Sequence, residues 1–443
     1  MGVLNVYSSW CISKVLLATP SHIKTFGDIG EFSLGVVGRY LANISQLITC
    51  IMVPTMFLVA GGTIFTVLFP LTFKLGVWIL FMTICLLPVC LLPTLKEGAG
   101  TLIAGSLGTI IANAIALGVL IHEINKQNEG LSPPPVNVTF SHLTTVVGNC
   151  ALAFGAGVII PTLHREHSDP SRMPRIIWVT MGFATLLFLI IGILGFHKVG
   201  CQLPDGSYGN VLFVIATPYL GFISNRGTVI VAMIAMQIHN VVAYGVILFP
   251  AFYIAERKLL GLHATAVESE YNDMETPNFE KEKILKEKAE ASRSSLPSVV
   301  RPSMLEPIEY PEPEGGNDYK TPGTYFKASI LRILIVAVSF VVAVLGQKDL
   351  GNLVNFLGAS MISLCCIILP IAFYLKVYWL RISQMQRAWG VFWLLVSIFI
   401  AIYATIVTGK ALFGSKDDDA PRFPFCEEKY QDTIYTNRTH YKY

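Results

Sequence analysis

The stretch Val146-Val-Gly-Asn-Cys-Ala-Leu-Ala-Phe-Gly-Ala-Gly-Val-Ile-Ile-Pro161 decides the fold. It is apolar enough to lie in lipid, yet Gly155 and Gly157 fall at its middle and Pro161 follows one turn on. Glycine weakens a helix and proline removes a backbone donor. An unwound turn there frees carbonyls and amides that can bind an ion or a polar solute, provided the backbone lines a cavity. The competing reading is a seam of small residues where two helices pack closely.

Working outward, the rest of the chain has the same solvent. Mean hydropathy is +0.59 and only 14% of the 443 residues are charged, far from soluble usage. With about 20 apolar residues needed per span, the candidates are 1–19, 42–69, 75–94, 99–121, 142–163, 175–196, 227–254, 327–346, 352–375 and 387–412. The expected class is an all-α polytopic membrane protein with about ten transmembrane helices. Its organisation is a first bundle part over 1–255, a disordered linker over 256–324, a second bundle part over 325–413 and a tail over 414–443. The linker holds a Lys/Glu cluster and a Pro-rich stretch, a composition that does not build a core. The start lacks a basic n-region and a small-residue cleavage site, and so does not read as a signal peptide.

Orientation follows from loop charge. One side collects Lys24, Arg39, Lys96, Arg165, Arg172, Arg175, Lys376, Arg381 and Arg387, against Lys74, Lys126, Lys198, Arg226 and Lys348 on the other. The richer side is cytoplasmic by the positive-inside rule, which makes the linker cytoplasmic and the tail extracellular or lumenal. The sequons Asn137-Val-Thr and Asn437-Arg-Thr then both fall outside as glycosylation candidates. Of nine cysteines, seven lie within apolar runs; Cys201 and Cys426 alone sit in polar segments, both on the oxidising side, and form the candidate disulfide. Two free or separately oxidised thiols are the other reading.

Polar residues inside the runs are costly and normally face the bundle interior or a wet cavity. Gln237, His239 and Asn240 lie near the middle of the seventh run, and His239 has a side chain whose ordinary pKa suits proton relay. A structural interhelical hydrogen bond explains the same residues. Asn352, Asn355 and Ser360 mark the outer half of the ninth run, as an entry path or as solvated helix ends. Asn113 reads as packing glue. No nucleophile with a base, phosphate loop, paired carboxylates or CxxC metal spacing occurs in the runs, so neither an enzyme nor a metal or other cofactor is expected. No basic face for nucleic acid is evident.

Three stretches resemble the amino acid/auxin permease family. They are Thr25-Phe-Gly-Asp-Ile-Gly-Glu-Phe-Ser-Leu-Gly-Val-Val-Gly-Arg39, Ala153 through Pro170, and Gly358 to Pro370 with Phe373-Tyr-Leu-Lys376 after it. They are similar, in order, to that family's segment before its third helix, its broken sixth helix with the following turn, and the end of its tenth. The resemblance implies a leucine-transporter-like inverted-repeat helical bundle, with substrate at the midplane between two broken helices. On this alignment the ten runs match helices two to eleven, and the family's first helix has no counterpart. The resemblance also implies roles: carbonyls of Phe154, Gly155, Ala156 and Gly157 for a substrate amino group, Thr55 and Phe57 as the facing wall, and Asn355 near the outer gate. Val241 and Ala243 stand where sodium-coupled relatives offer a hydroxyl, so a proton is the expected co-substrate, with His239 and Asn240 as coupling candidates. The expected activity is secondary active transport of small neutral amino acids by alternating access, at the plasma membrane in preference to the vacuole or another endomembrane. The alternative is a non-transporting subunit, sensor or scaffold signalling through linker serines such as Ser294, Ser295, Ser298 and Ser303, or an inactive shortened product.

Overall fold

A computed structural model describes residues 1–20, 23–93, 99–127, 132–136, 139–203, 210–263, 319, 323–414 and 422–434. Asn137, Asn437 and the linker serines lie outside the described residues. Among the described residues, eight helical stretches are long and apolar enough to cross a membrane, one of them interrupted between Ala153 and Ile160, and two shorter helices, Gly2–Ala18 and Leu75–Cys90, complete the ten runs.

In chain order the helices are α1 (Gly2–Ala18), α2 (Phe26–Leu68), α3 (Leu75–Cys90), α4 (Ala99–Gln127), α5 (Phe140–Ala153), α6 (Ile160–Glu166), α7 (Met173–Val199), the short α8 (Val211–Val214), α9 (Arg226–Leu260), α10 (Thr324–Gly346), α11 (Leu350–Leu357), α12 (Leu369–Tyr378) and α13 (Gln384–Phe413). Two π-helical stretches, Gly358–Ile362 and Leu364–Ile368, carry the chain from α11 to α12 without a break.

The helices differ from the apolar runs in informative ways. The second begins at Phe26 rather than at 42, because Thr25 and Asp28 close a capping box: the Asp28 amide donates to Thr25 Oγ1 (3.1 Å) and the Thr25 amide to Asp28 Oδ2 (3.0 Å). It is broken at Gly35, whose φ of +71° and ψ of −157° are non-helical and suit glycine, and Gly30 and Gly38 meet backbone to backbone across the break. The fifth run is not one helix: α5 stops at Ala153 and α6 starts at Ile160.

The chain forms two compact units, Met1–Phe252 with Ser329–Tyr443, and Tyr253–Ala328. In the first unit, α1 sits within the bundle, packed on α7, α12 and the segment between α5 and α6. Asn5, Ser8, Ser9 and Ser13 of α1 are all buried, so its interior face is polar as well as apolar. Arg332 of α10 is buried too; its guanidinium donates to the carbonyls of Cys90 (3.2 Å) and Leu92 at the end of α3 and lies 5.3 Å from the Phe252 ring. A cation at a helix C-terminus satisfies carbonyls that the helix itself leaves open. In the second unit, Glu256 accepts from Tyr319 Oη (2.6 Å) and pairs with His263 Nε2 (3.0 Å), whose ring stacks on Tyr253 at 4.5 Å.

At one end of the first unit a disulfide joins Cys201 to Cys426. Cys426 also bridges Val136, and Gln202 Nε2 donates to the Thr433 carbonyl at 2.5 Å, so residues 422–434 are tied to the loops after α4 and α7.

Candidate functional site

The candidate site is the gap between α5 and α6, packed on α1, α2 and the π-helical stretch Leu364–Ile368. The Phe154 amide still makes the helical bond to the Cys150 carbonyl (3.1 Å), but the Gly155 amide turns back to Leu152 (3.0 Å) and the Ala156 amide to Phe154 (2.7 Å). A single 3₁₀ turn, Ala156–Val158, leads into α6. Pro161 stands in the first turn of α6 and has no N–H to return to the carbonyl of Gly157.

The segment is held from two sides. Cys366 Sγ donates to the Gly155 carbonyl (3.4 Å) and Gln46 Nε2 to the Val158 carbonyl (3.0 Å). Phe154 is buried edge-to-face against Phe188 of α7, centroids 5.0 Å apart. The small residues let backbones meet: a Cβ on Gly157 would stand 2.9 Å from Cys366 Cα, and one on Gly358 only 2.0 Å from the Gly148 carbonyl oxygen. Unwinding and close packing, left as alternatives by the sequence, occur in the same segment, because a broken helix needs a tight neighbour to fix its freed groups.

The sequence-derived residues divide between this turn and other places. Phe154, Gly155, Ala156 and Gly157 form it. Thr55 and Phe57 do not share a wall: two positions on a helix are about 200° apart. Thr55 is buried and bonds back to the Met52 carbonyl (2.5 Å), on the face where Gly62, two turns on, meets Ile79 of α3. Phe57 points instead to α9, its ring edge-on to His239 at 6.3 Å. His239 Nδ1 is 3.2 Å from the Gly105 carbonyl of α4, while Asn240 is buried and its Nδ2 has no partner among the described residues. Gln237 donates to Met82 Sδ at 2.7 Å. Asn355 presents its backbone under Gly148 and keeps a buried Oδ1 without a partner among the described residues; Asn352 donates weakly to the Ala411 carbonyl (3.4 Å). Asn113 turns back on Thr109 of its own helix (2.8 Å).

Sequence reasoning passed over Gln46 and Cys366. Gln46 carries the signal that singled out Gln237, an amide inside an apolar run; Cys366 was read as a small hydrophobe, and its thiol becomes a donor only because the turn brings a carbonyl to it. Away from the turn, a cleft of about 440 Å³ between α2, α3, α4 and α9 is lined by Phe65, Val89, Val241 and Gln237. Among the described residues no group of three or more His, Cys, Asp or Glu side chains is placed to hold a metal.

Comparison with known sequences matches residues 1–409 to the family described as transmembrane amino acid transporter protein. Relatives from Arabidopsis thaliana include amino acid transporter AVT1D, 21% identical over 45% of this chain and 37% of its own length. Amino acid transporter AVT1E is 21% identical over 45% of this chain and 39% of its own length. For amino acid transporter AVT1I the figures are 23%, 46% and 51%. The matched region thus spans about half or less of each relative.

Proposed function

This chain belongs to the transmembrane amino acid transporter family, and from that premise we propose that it moves small neutral amino acids across its membrane by proton-coupled alternating access. The observation that carries the reading is the interrupted helix, whose turn at Phe154, Gly155, Ala156 and Gly157 is braced by side chains of two other elements. Its carbonyl dipoles receive the substrate's ammonium group, and Asn355, with a buried oxygen lacking a partner among the described residues, lies on the path from the outer side. The freedom to open and close comes from the Gly148–Gly358 crossing, where two backbones touch with no side chains interlocked.

His239 is the proton-coupling residue in this reading. It is the ionisable group that faces the aromatic wall at Phe57, and Asn240 beside it is buried in the same helix. One charge crossing about 100 mV supplies roughly 2.3 kcal/mol, enough for about fortyfold accumulation at about 1.4 kcal/mol per decade. The richer set of Lys and Arg faces the cytoplasm with the linker, and residues 422–434 face outside with the sequons Asn137 and Asn437. The plasma membrane is the proposed residence.

The test is serine uptake by the chain in proteoliposomes. Uptake that rises when the outside is made acid, and falls when a protonophore collapses the gradient, supports the mechanism. Uptake indifferent to the gradient removes proton coupling, and none for any neutral amino acid removes transport. Surface biotinylation checks the membrane of residence.

A further inference from the structure

Two polar side chains on α2 are more deeply buried than their hydrogen bonding explains. Gln46 and Thr49 are 3% and 2% exposed, and Gln46 Oε1 and Thr49 Oγ1 are buried with no hydrogen-bonding partner among the described residues. In a bilayer no bulk water is at hand to satisfy them, and unsatisfied buried polar atoms are rare in native proteins. The two residues are three apart on one helix and so share a face, and that face is fixed against the unwound turn because Gln46 Nε2 donates to the Val158 carbonyl at 3.0 Å. That bond also decides which end of the amide does what. With the NH₂ group committed to a carbonyl, the remaining oxygen can only accept. Thr49 offers a hydroxyl, both donor and acceptor, one turn further along.

We propose that Gln46 Oε1 and Thr49 Oγ1 form a side-chain subsite selecting amino acids whose own side chain carries a hydroxyl or a carboxamide. The inference rests on the transport reading above and adds to it the substrate class. A serine hydroxyl donates to Gln46 Oε1 and accepts from Thr49 Oγ1; a glutamine carboxamide does the same with its NH₂ and C=O. Alanine and valine leave both protein oxygens unpaired. A site built to hydrogen-bond a substrate group discriminates strongly against the analogue that lacks it, more strongly than an apolar pocket discriminates by size. Neither residue is charged, so the subsite offers no counter-charge to an acidic or basic side chain.

The experiment is a panel of uptake measurements on the full chain in proteoliposomes, with serine, glutamine, alanine and valine as the transported probes. The expected wild-type result is a kcat/KM for serine and glutamine at least about tenfold above that for alanine and valine, carried mainly by KM. Thr49→Val removes the hydroxyl at nearly constant shape and leaves the bond from Gln46 to Val158 in place; it brings the serine-to-alanine ratio to within about threefold of unity. Gln46→Leu lowers the ratio too, and because it also removes the brace on Val158 it depresses all four probes. A wild-type panel without preference, or a Thr49→Val ratio equal to that of the wild type, overturns the subsite while transport stands. A wild type that takes up none of the four probes overturns the transport reading, and the subsite falls with it.

Discussion

The breaks at Gly35 and at Phe154 to Val158 interrupt the described helices by opposite means. At Gly35 the bend in α2 is made by the residue itself: φ is +71°, and a Cβ placed there would meet nothing within 4 Å. At Phe154 to Val158 no residue has a positive φ, and the geometry is held from outside by Cys366, Gln46 and the close backbone of residue 366. The first break is local and intrinsic. The second is imposed by tertiary packing, so its shape depends on where its neighbours stand, and when they move it can change. That is the property the proposed binding turn requires.

The contrast can be broken or sharpened by mutation. The largest effect is expected at Gly358→Ala, a residue outside the turn: its Cβ would press to 2.0 Å from the Gly148 oxygen, a backbone atom that cannot swing aside as a side chain does. We expect about 3 kcal/mol or more of destabilisation, seen as a lower Tm in detergent together with loss of uptake. An unchanged Tm would mean that the crossing is looser than drawn. Next is Gly35→Ala, where space is free but φ +71° with ψ −157° is a conformation open essentially to glycine alone, at a cost of about 1–3 kcal/mol; thermal scanning should show a modest shift. If Gly35→Ala proves as damaging as Gly358→Ala, the open break is as constrained as the buried one. Smallest is Arg39→Ala, which removes the ion pair to Glu31 across the Gly35 bend (2.9 Å, both side chains about 40% exposed). Exposed pairs contribute about 0–1 kcal/mol, so Tm should hardly move, and salt should erase what difference there is.

The same contrast explains what could be read from the sequence. The ten spans were legible because lipid demands long apolar runs, and the broken fifth run because Gly155, Gly157 and Pro161 advertise it. The Cys201 to Cys426 pairing was nameable once loop charge had set the sides. The start of α2 at Phe26 was missed, although Thr25 and Asp28 spell a cap, because Glu31 and Arg39 break the apolar count; only the fold shows them paired on the surface. The π-helical passage through Gly358–Ile362 leaves no periodic trace, since it adds one residue to a turn without changing which residues are apolar. Arg332 lay inside an apolar run, and what makes it tolerable, the open carbonyls at the end of α3, belongs to another helix. Pairing Thr55 with Phe57 neglected helical phase, which the spacing alone could have corrected.

The bond between Cys201 and Cys426 joins positions 225 residues apart. In the proposed orientation Cys201 reaches the oxidising compartment while much of the chain is still unmade, and its partner arrives only after α13 has been threaded through the membrane. In that orientation a closed Cys201–Cys426 bridge is a chemical record that insertion has run through α13. Chains that stall earlier carry a free Cys201 thiol, which a mixed disulfide with an oxidoreductase can capture, and thiol trapping during synthesis would date the insertion of α13.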